Sequence, residues 1–151
     1  MMCLSWEAHI AASADTVFAL LSDLRGYDTC LPRSPAFHGT GDISEGPIRE
    51  GTRYVEPGPL GTRFGVVTRM EAPCRLDFEQ PMVLRPRFLG RIGIRLFHTI
   101  AGREGISHLT RRLELVPEGP IRFVRPLVVR SFVRENERMM AVLKQTAENR
   151  A

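Results

Sequence analysis

The chain has 151 residues, 43% hydrophobic and 25% charged, with a net charge of +4, which suits one domain that buries its own core without a disulfide or metal staple. No apolar run approaches the roughly 20 residues of a membrane-spanning helix, and Met1 to Glu7 show no basic-then-apolar leader, so a cytoplasmic protein without integral membrane association is expected. Cys3, Cys30 and Cys74 are odd in number and far apart, which argues against a disulfide framework or zinc site and for reduced thiols; no metal is expected.

In chain order, Leu4 to Ile10 alternates, with Leu4, Trp6, Ala8 and Ile10 on one face and Ser5, Glu7 and His9 on the other, the period of a half-buried strand. Ser13 reads as a helix N-cap with Asp15 in the first turn, and Val17, Leu20, Leu21 and Leu24 form an apolar stripe that ends at Gly26. Tyr27 to Pro32 has room for a second short helix before Pro32 and Pro35 break the pattern.

From Ala36 the chain reads as strands punctuated by glycine and proline. A weak strand is expected at Phe37 to Ile43 and another at Thr52 to Glu56. The next spans Arg63 to Met70, with Phe64, Val66, Thr68 and Met70 sharing a face. Arg75 to Gln80 follows, Leu76 and Phe78 opposing Arg75, Asp77 and Glu79, and Pro81 to Pro86 reads as a loop. Ile92 to Ile100 alternates strongly, placing Ile92, Ile94, Leu96, His98 and Ile100 together. Gly102 to Gly105 reads as a tight hairpin leading into Ile106 to Val116, which Pro117 and Pro120 end.

The period then changes. From Leu127, the positions Val128, Phe132, Met139, Leu143 and Thr146 recur at threes and fours, which predicts an amphipathic helix of about 20 residues. Strands joined by tight turns predict an antiparallel meander whose apolar face a single long helix must cover. The fold class is therefore α+β in one domain, 1–151: a curved antiparallel sheet of about seven strands, with two short helices after strand 1 and a long C-terminal helix over a cavity.

The segment Trp6-Glu7-Ala8-His9-Ile10-Ala11-Ala12-Ser13-Ala14-Asp15-Thr16-Val17-Phe18-Ala19-Leu20-Leu21-Ser22-Asp23 resembles the first strand and helix of polyketide cyclase/dehydrase-like proteins of the START-like (SRPBCC, helix-grip) superfamily. Leu109 to Leu115 is similar to that family's last strand, and Arg134 to Ala147 to its terminal helix. The resemblance covers nearly the whole chain and specifies fold more than chemistry. It implies a ligand cavity, in a family that includes lipid and hormone carriers and aromatic polyketide cyclases. Tyr27 to Pro35 departs from it, lacking the Trp-Pro-x-Trp type of phrase.

A cavity function needs polar groups on the inner face. Alternation nominates His98 among Ile94, Leu96 and Ile100, Arg111 among Leu109, Leu113 and Leu115, Thr68 between Val66 and Met70, and Asn136 between Phe132 and Met140. His98 is either a general acid/base or ligand hydrogen-bond donor, or a histidine satisfied within the core. Arg111 binds a ligand carboxylate or stabilises an enolate, or it pairs with Glu135 or Glu137, or Arg112 takes the inward place instead. Thr68 and Asn136 read as structural. Trp6, Phe18, Phe64, Val66, Thr68, Phe78, Leu96, Leu109, Phe132, Asn136 and Met139 are the expected cavity wall, with Tyr27, Tyr54 and Phe88 near its mouth.

The sequence holds no nucleophile elbow, dinucleotide-type glycine motif, phosphate-binding loop or paired carboxylates on one face. Lys144 is the sole lysine, and the arginines are scattered among acids rather than gathered into a block, so no nucleic-acid partner is expected. The expected activity is binding of a small apolar or aromatic, lipid-like or polyketide-like ligand, with His98 and Arg111 orienting it and no cofactor. A cyclase or dehydratase using those two residues is the alternative. A third reading is an interaction module acting through a basic surface or sheet edge. A monomer or homodimer is expected.

Overall fold

A computed structural model of the chain describes residues 1–27 and 38–151. Its elements are β1 (Met2–Ile10), α1 (Ala14–Ser22), β2 (Arg53–Pro57), β3 (Gly61–Glu71), β4 (Arg75–Glu79), β5 (Met82–Leu84), β6 (Arg91–Arg103), β7 (Ile106–Glu118) and α2 (Arg125–Arg150). Short 3-10 turns lie at Leu24–Gly26, Arg87–Leu89 and Pro120–Val124. The seven strands form one sheet in the order β1-β7-β6-β4-β3-β2, with β5 joining β3 and β6, and the named pairings are all antiparallel. The α+β helix-grip architecture read from the sequence is the one observed.

Local chemistry explains the best-ordered pieces. Ser13 caps α1, its hydroxyl accepting from the Thr16 amide at 3.2 Å, which satisfies one of the donors a helix start leaves open. Glu104 and Gly105 both have positive φ (52° and 76°) between Arg103 and Ile106, which pair across the turn; this is the two-residue hairpin whose twist matches that of its strands. β6 and β7 then pair over their full lengths, from Arg91↔Glu118 to Arg103↔Ile106. Ile92, Ile94, Leu96, His98 and Ile100 of β6 and Leu109, Arg111, Leu113 and Leu115 of β7 are all buried on one face. Arg112 faces outward, where its guanidinium lies 4.6 Å from the Phe97 ring centre and pairs with Glu114.

Three expectations need correction. Pro81 to Pro86 is not a plain loop, because Met82–Leu84 forms β5 between β3 and β6. In the expected strand Phe37 to Ile43, residues 38–43 supply only an isolated bridge from Gly41 to Val55, and Phe37 lies outside the described residues. In β3 the assigned face is reversed at its start: Phe64 and Thr68 are exposed and Val66 is half-buried, whereas Gly61, Gly65 and Val67 are buried. Both alternating sets of β3 contain apolar residues, so period alone cannot say which set faces in. An irregularity between Val67 and Arg69 shifts the register again. The second short helix expected at Tyr27 to Pro32 lies, past Tyr27, outside the described residues.

The long helix is firmly seated at one end only. Towards its C-terminus Ala147 is fully buried, Glu148 accepts from the Ala11 amide at 2.9 Å, and Lys144 donates to the His9 carbonyl at 2.8 Å. There α2 packs on β1 and α1. Its N-terminal half, from Leu127 to Met139, instead roofs a hollow above β4, β6 and β7.

Candidate functional site

The hollow is a cavity of about 240 Å³. Its apolar wall includes Leu84, Ile92, Leu96 and Leu113 from the sheet and Phe132 and Met139 from the helix. The volume falls below the roughly 300–1,000 Å³ of pockets that enclose drug-sized ligands. It suits a small molecule, or part of one whose remainder passes through the mouth.

One row of hydrogen bonds crosses the inner face. His98 and Arg111 are directly opposite on β6 and β7, and Leu76 is opposite His98 on β4. His98 Nδ1 lies 3.0 Å from the Leu76 carbonyl oxygen, Arg111 Nη1 lies 3.1 Å from His98 Nε2, and Arg111 Nε donates to Asn136 Oδ1 at 2.8 Å. The Asn136 amide then donates to the Phe132 carbonyl at 2.8 Å. A carbonyl can only accept and a guanidinium can only donate, so this geometry assigns His98 the neutral Nδ1–H tautomer.

The energetics agree with that assignment. Burial, reinforced by the Arg111 charge, lowers the His98 pKa from 6.5 to about 3. Burial also lowers the Arg111 pKa to about 10, opposed by Tyr27, Glu56 and Tyr54, so the guanidinium stays charged at neutral pH. Neither direct partner of Arg111 is a carboxylate, and Glu135 pairs with Arg138 instead. Arg111 thus brings a buried cation whose hydrogen bonds are met by neutral groups, and a ligand anion or acceptor oxygen would offset that cost.

A second polar group lies on β2 and β3. Arg63 Nη2 lies 2.9 Å from Glu56 Oε2, with side chains 13% and 8% exposed, and Thr40 donates to Glu56 Oε1 at 3.3 Å. Beside it the Tyr54 hydroxyl donates to Gln80 Oε1 at 2.9 Å. Burial and the nearby Glu56 hold the Tyr54 pKa well above its usual value, so it remains a donor. Tyr54 reaches this place because β3 has glycine where the ring crosses: a Cβ on Gly65 would sit 2.1 Å from Tyr54 Cζ. Tyr54 then meets Phe78 edge-on at 5.9 Å, and Phe78 meets His98 edge-on at 5.8 Å, making an aromatic floor.

Of the residues nominated from sequence, His98, Arg111, Phe78, Leu96, Phe132, Asn136 and Met139 line the cavity. Trp6, Phe18 and Leu109 do not: Phe18 on α1 and Leu109 on β7 are buried in the hydrophobic core, and Trp6 is half-buried beside it. Phe64, Val66 and Thr68 lie on the opposite face of β3. Tyr27 and Tyr54 line the cavity, whereas Phe88 is exposed and does not. Sequence reasoning missed Glu56, Arg63 and Gln80. Their usable signal was the cross-strand match of Glu56 and Arg63, which only the β2–β3 register reveals.

A family model described as polyketide cyclase / dehydrase and lipid transport matches residues 1–148. Among solved structures, the chain is similar to the Zhui aromatase/cyclase from Streptomyces sp. R1128, with a TM-score of 0.78 at 15% identity, covering 99% of this chain and 94% of that one. It is also similar to a START superfamily protein from Mycobacterium smegmatis, with a TM-score of 0.67 at 14% identity and 99% of each chain covered. Protein MLL2253 from Mesorhizobium loti has a TM-score of 0.72 at 11% identity, with 95% of each chain covered. At these identities the likeness concerns the fold. No curated protein matches the sequence.

Proposed function

We propose that this chain, which belongs to the polyketide cyclase / dehydrase and lipid transport family, is a binding module for a small, mainly apolar molecule that carries an acceptor oxygen or an anionic group. The observation that carries the reading is Arg111, a buried cation on the wall of a mainly apolar cavity, held in place by the neutral groups His98 and Asn136 rather than by a carboxylate. Apolar walls supply affinity in proportion to the area removed from water. The fixed guanidinium supplies orientation, because its planar fork meets an oxygen ligand in one geometry. Tyr54 and Gln80 add polar groups at the other side of the floor.

The test is a thermal-shift and native mass-spectrometry panel of aromatic polyketides, fatty acids and their methyl esters. Stabilisation by the acids that drops for the esters, and drops again for Arg111→Met, is the expected result. Failure of every apolar ligand to bind would overturn the reading.

A second reading, a cyclase or dehydratase, draws on the same cation, which in a water-poor cavity would stabilise an oxyanion or enolate as it forms. His98 then serves as a positioning residue for Arg111: with a pKa lowered to about 3 it is not imidazolium at neutral pH, its Nδ1–H is engaged by the Leu76 carbonyl, and its Nε2 lone pair by Arg111. Turnover of a polyketide substrate that survives Arg111→Met would exclude it.

A further inference from the structure

The mouth of the cavity carries an unusual surface. Leu60, Val124 and Leu127 line the cavity and are also 55%, 40% and 64% exposed, so they mark where it opens. Next to Leu89 and Val124 in the chain, both lining residues, Phe88 and Phe123 stand 74% and 82% exposed. They sit on the two 3-10 turns Arg87–Leu89 and Pro120–Val124. These turns touch: a Cβ on Gly90 would lie 2.0 Å from the Glu118 carbonyl oxygen, and one on Gly119 would lie 3.0 Å from Gly90 Cα. Leu60 is tied to the same end, its carbonyl accepting from the Arg85 amide at 2.9 Å.

Charge gathers at the same place. Residues 85–91 and 118–130 contain Arg85, Arg87, Arg91, Arg122, Arg125 and Arg130 against a single acid, Glu118. That is six positive charges less one, or +5, so the rest of the chain sums to −1 within the overall +4. All six arginines are exposed. The scattering seen along the sequence is undone by the fold. Each exposed phenylalanine follows an arginine directly, as Arg87-Phe88 and Arg122-Phe123.

We propose that this rim docks on an anionic lipid surface. Single bulky apolar side chains standing out at turn tips insert between headgroups, while neighbouring arginines bind phosphates or carboxylates. A protein partner would call for a complementary packed patch, whereas here the apolar tips surround an opening. An apolar ligand could then pass between hydrocarbon and cavity without crossing water. The inference is separate from the identity of the cavity ligand, because docking is measured with the cavity unliganded.

The experiment is co-sedimentation of the full chain with vesicles of phosphatidylcholine alone and of phosphatidylcholine mixed with phosphatidylserine, at low and high salt. Binding to the mixed vesicles, weakened by salt and much poorer on the neutral ones, is expected. Arg87→Gln and Arg122→Gln should each weaken it about fivefold. Phe88→Ala with Phe123→Ala should weaken it at both salt concentrations. All four positions are exposed, and unchanged thermal melts would show that the variants remain folded. No binding to anionic vesicles at low salt, or binding that these variants leave intact, overturns the proposal. Capture of an acidic protein or nucleic acid without vesicle binding overturns it in favour of a macromolecular partner.

Discussion

Replacing His98 by glutamine should remove much of this protein's sensitivity to mild acid. His98 is fully enclosed, gives its Nδ1 proton to Leu76 and accepts from Arg111 through Nε2. Burial, and then the second cation that protonation would place against Arg111, lower its pKa from 6.5 to about 3. The unfolded chain therefore binds this proton more readily than the folded one between those two values. Stability contributed by the neutral imidazole is present above pH 6.5 and is lost as the pH falls towards 3. From the two pKa values, the loss between pH 7 and pH 5 is about 2 kcal/mol. Urea unfolding at the two pH values, on the natural chain and on His98→Gln, measures it. The glutamine variant starts lower, since one hydrogen bond of the row is altered, but its pH dependence should be smaller by about 2 kcal/mol. The other histidines are common to both proteins and cancel in the difference. Equal losses in the two proteins would refute the tautomer assignment and the closed row with it.

Other consequences follow from the cavity floor and its polar groups. Gly65→Ala forces the Tyr54 ring out of its place and should cost about 1–3 kcal/mol in a thermal melt, whereas Gly41→Ala, with open space around its would-be Cβ, should change little. Glu56→Ala removes the carboxylate that Arg63 Nη2 and the Thr40 hydroxyl bond, and should lower stability by about 2 kcal/mol. The double variant Glu56→Met with Arg63→Met should recover part of that loss in urea unfolding, and no recovery would count against the pair's burial. Asn136→Ala removes the acceptor of Arg111 Nε and should cost about 1–3 kcal/mol, with a matching loss of affinity for anionic ligands by calorimetry.

The sequence by itself determined the strands and helices whose side-chain period is long and unbroken. β6 and β7 run for 13 residues each, and their alternation fixed which residues share a face with His98 and Arg111. The 26-residue α2 likewise announced Phe132, Asn136 and Met139 on one stripe. Even here the alternation left Arg111 or Arg112 to face inward, and the Phe97 ring beneath Arg112 shows which did. Tertiary structure alone decided the rest. β3 has apolar residues in both alternating sets, so its inner face depended on Tyr54 crossing over Gly65 and on Glu56 meeting Arg63 from the neighbouring strand. Trp6, Phe18 and Leu109 are apolar and inward like true cavity residues, but they lie where α1 and α2 close on the sheet. The arginine rim was invisible for the same reason: a side-chain period reports only neighbours along one element, whereas charges 35 residues apart, such as Arg87 and Arg122, come together only when two turns touch.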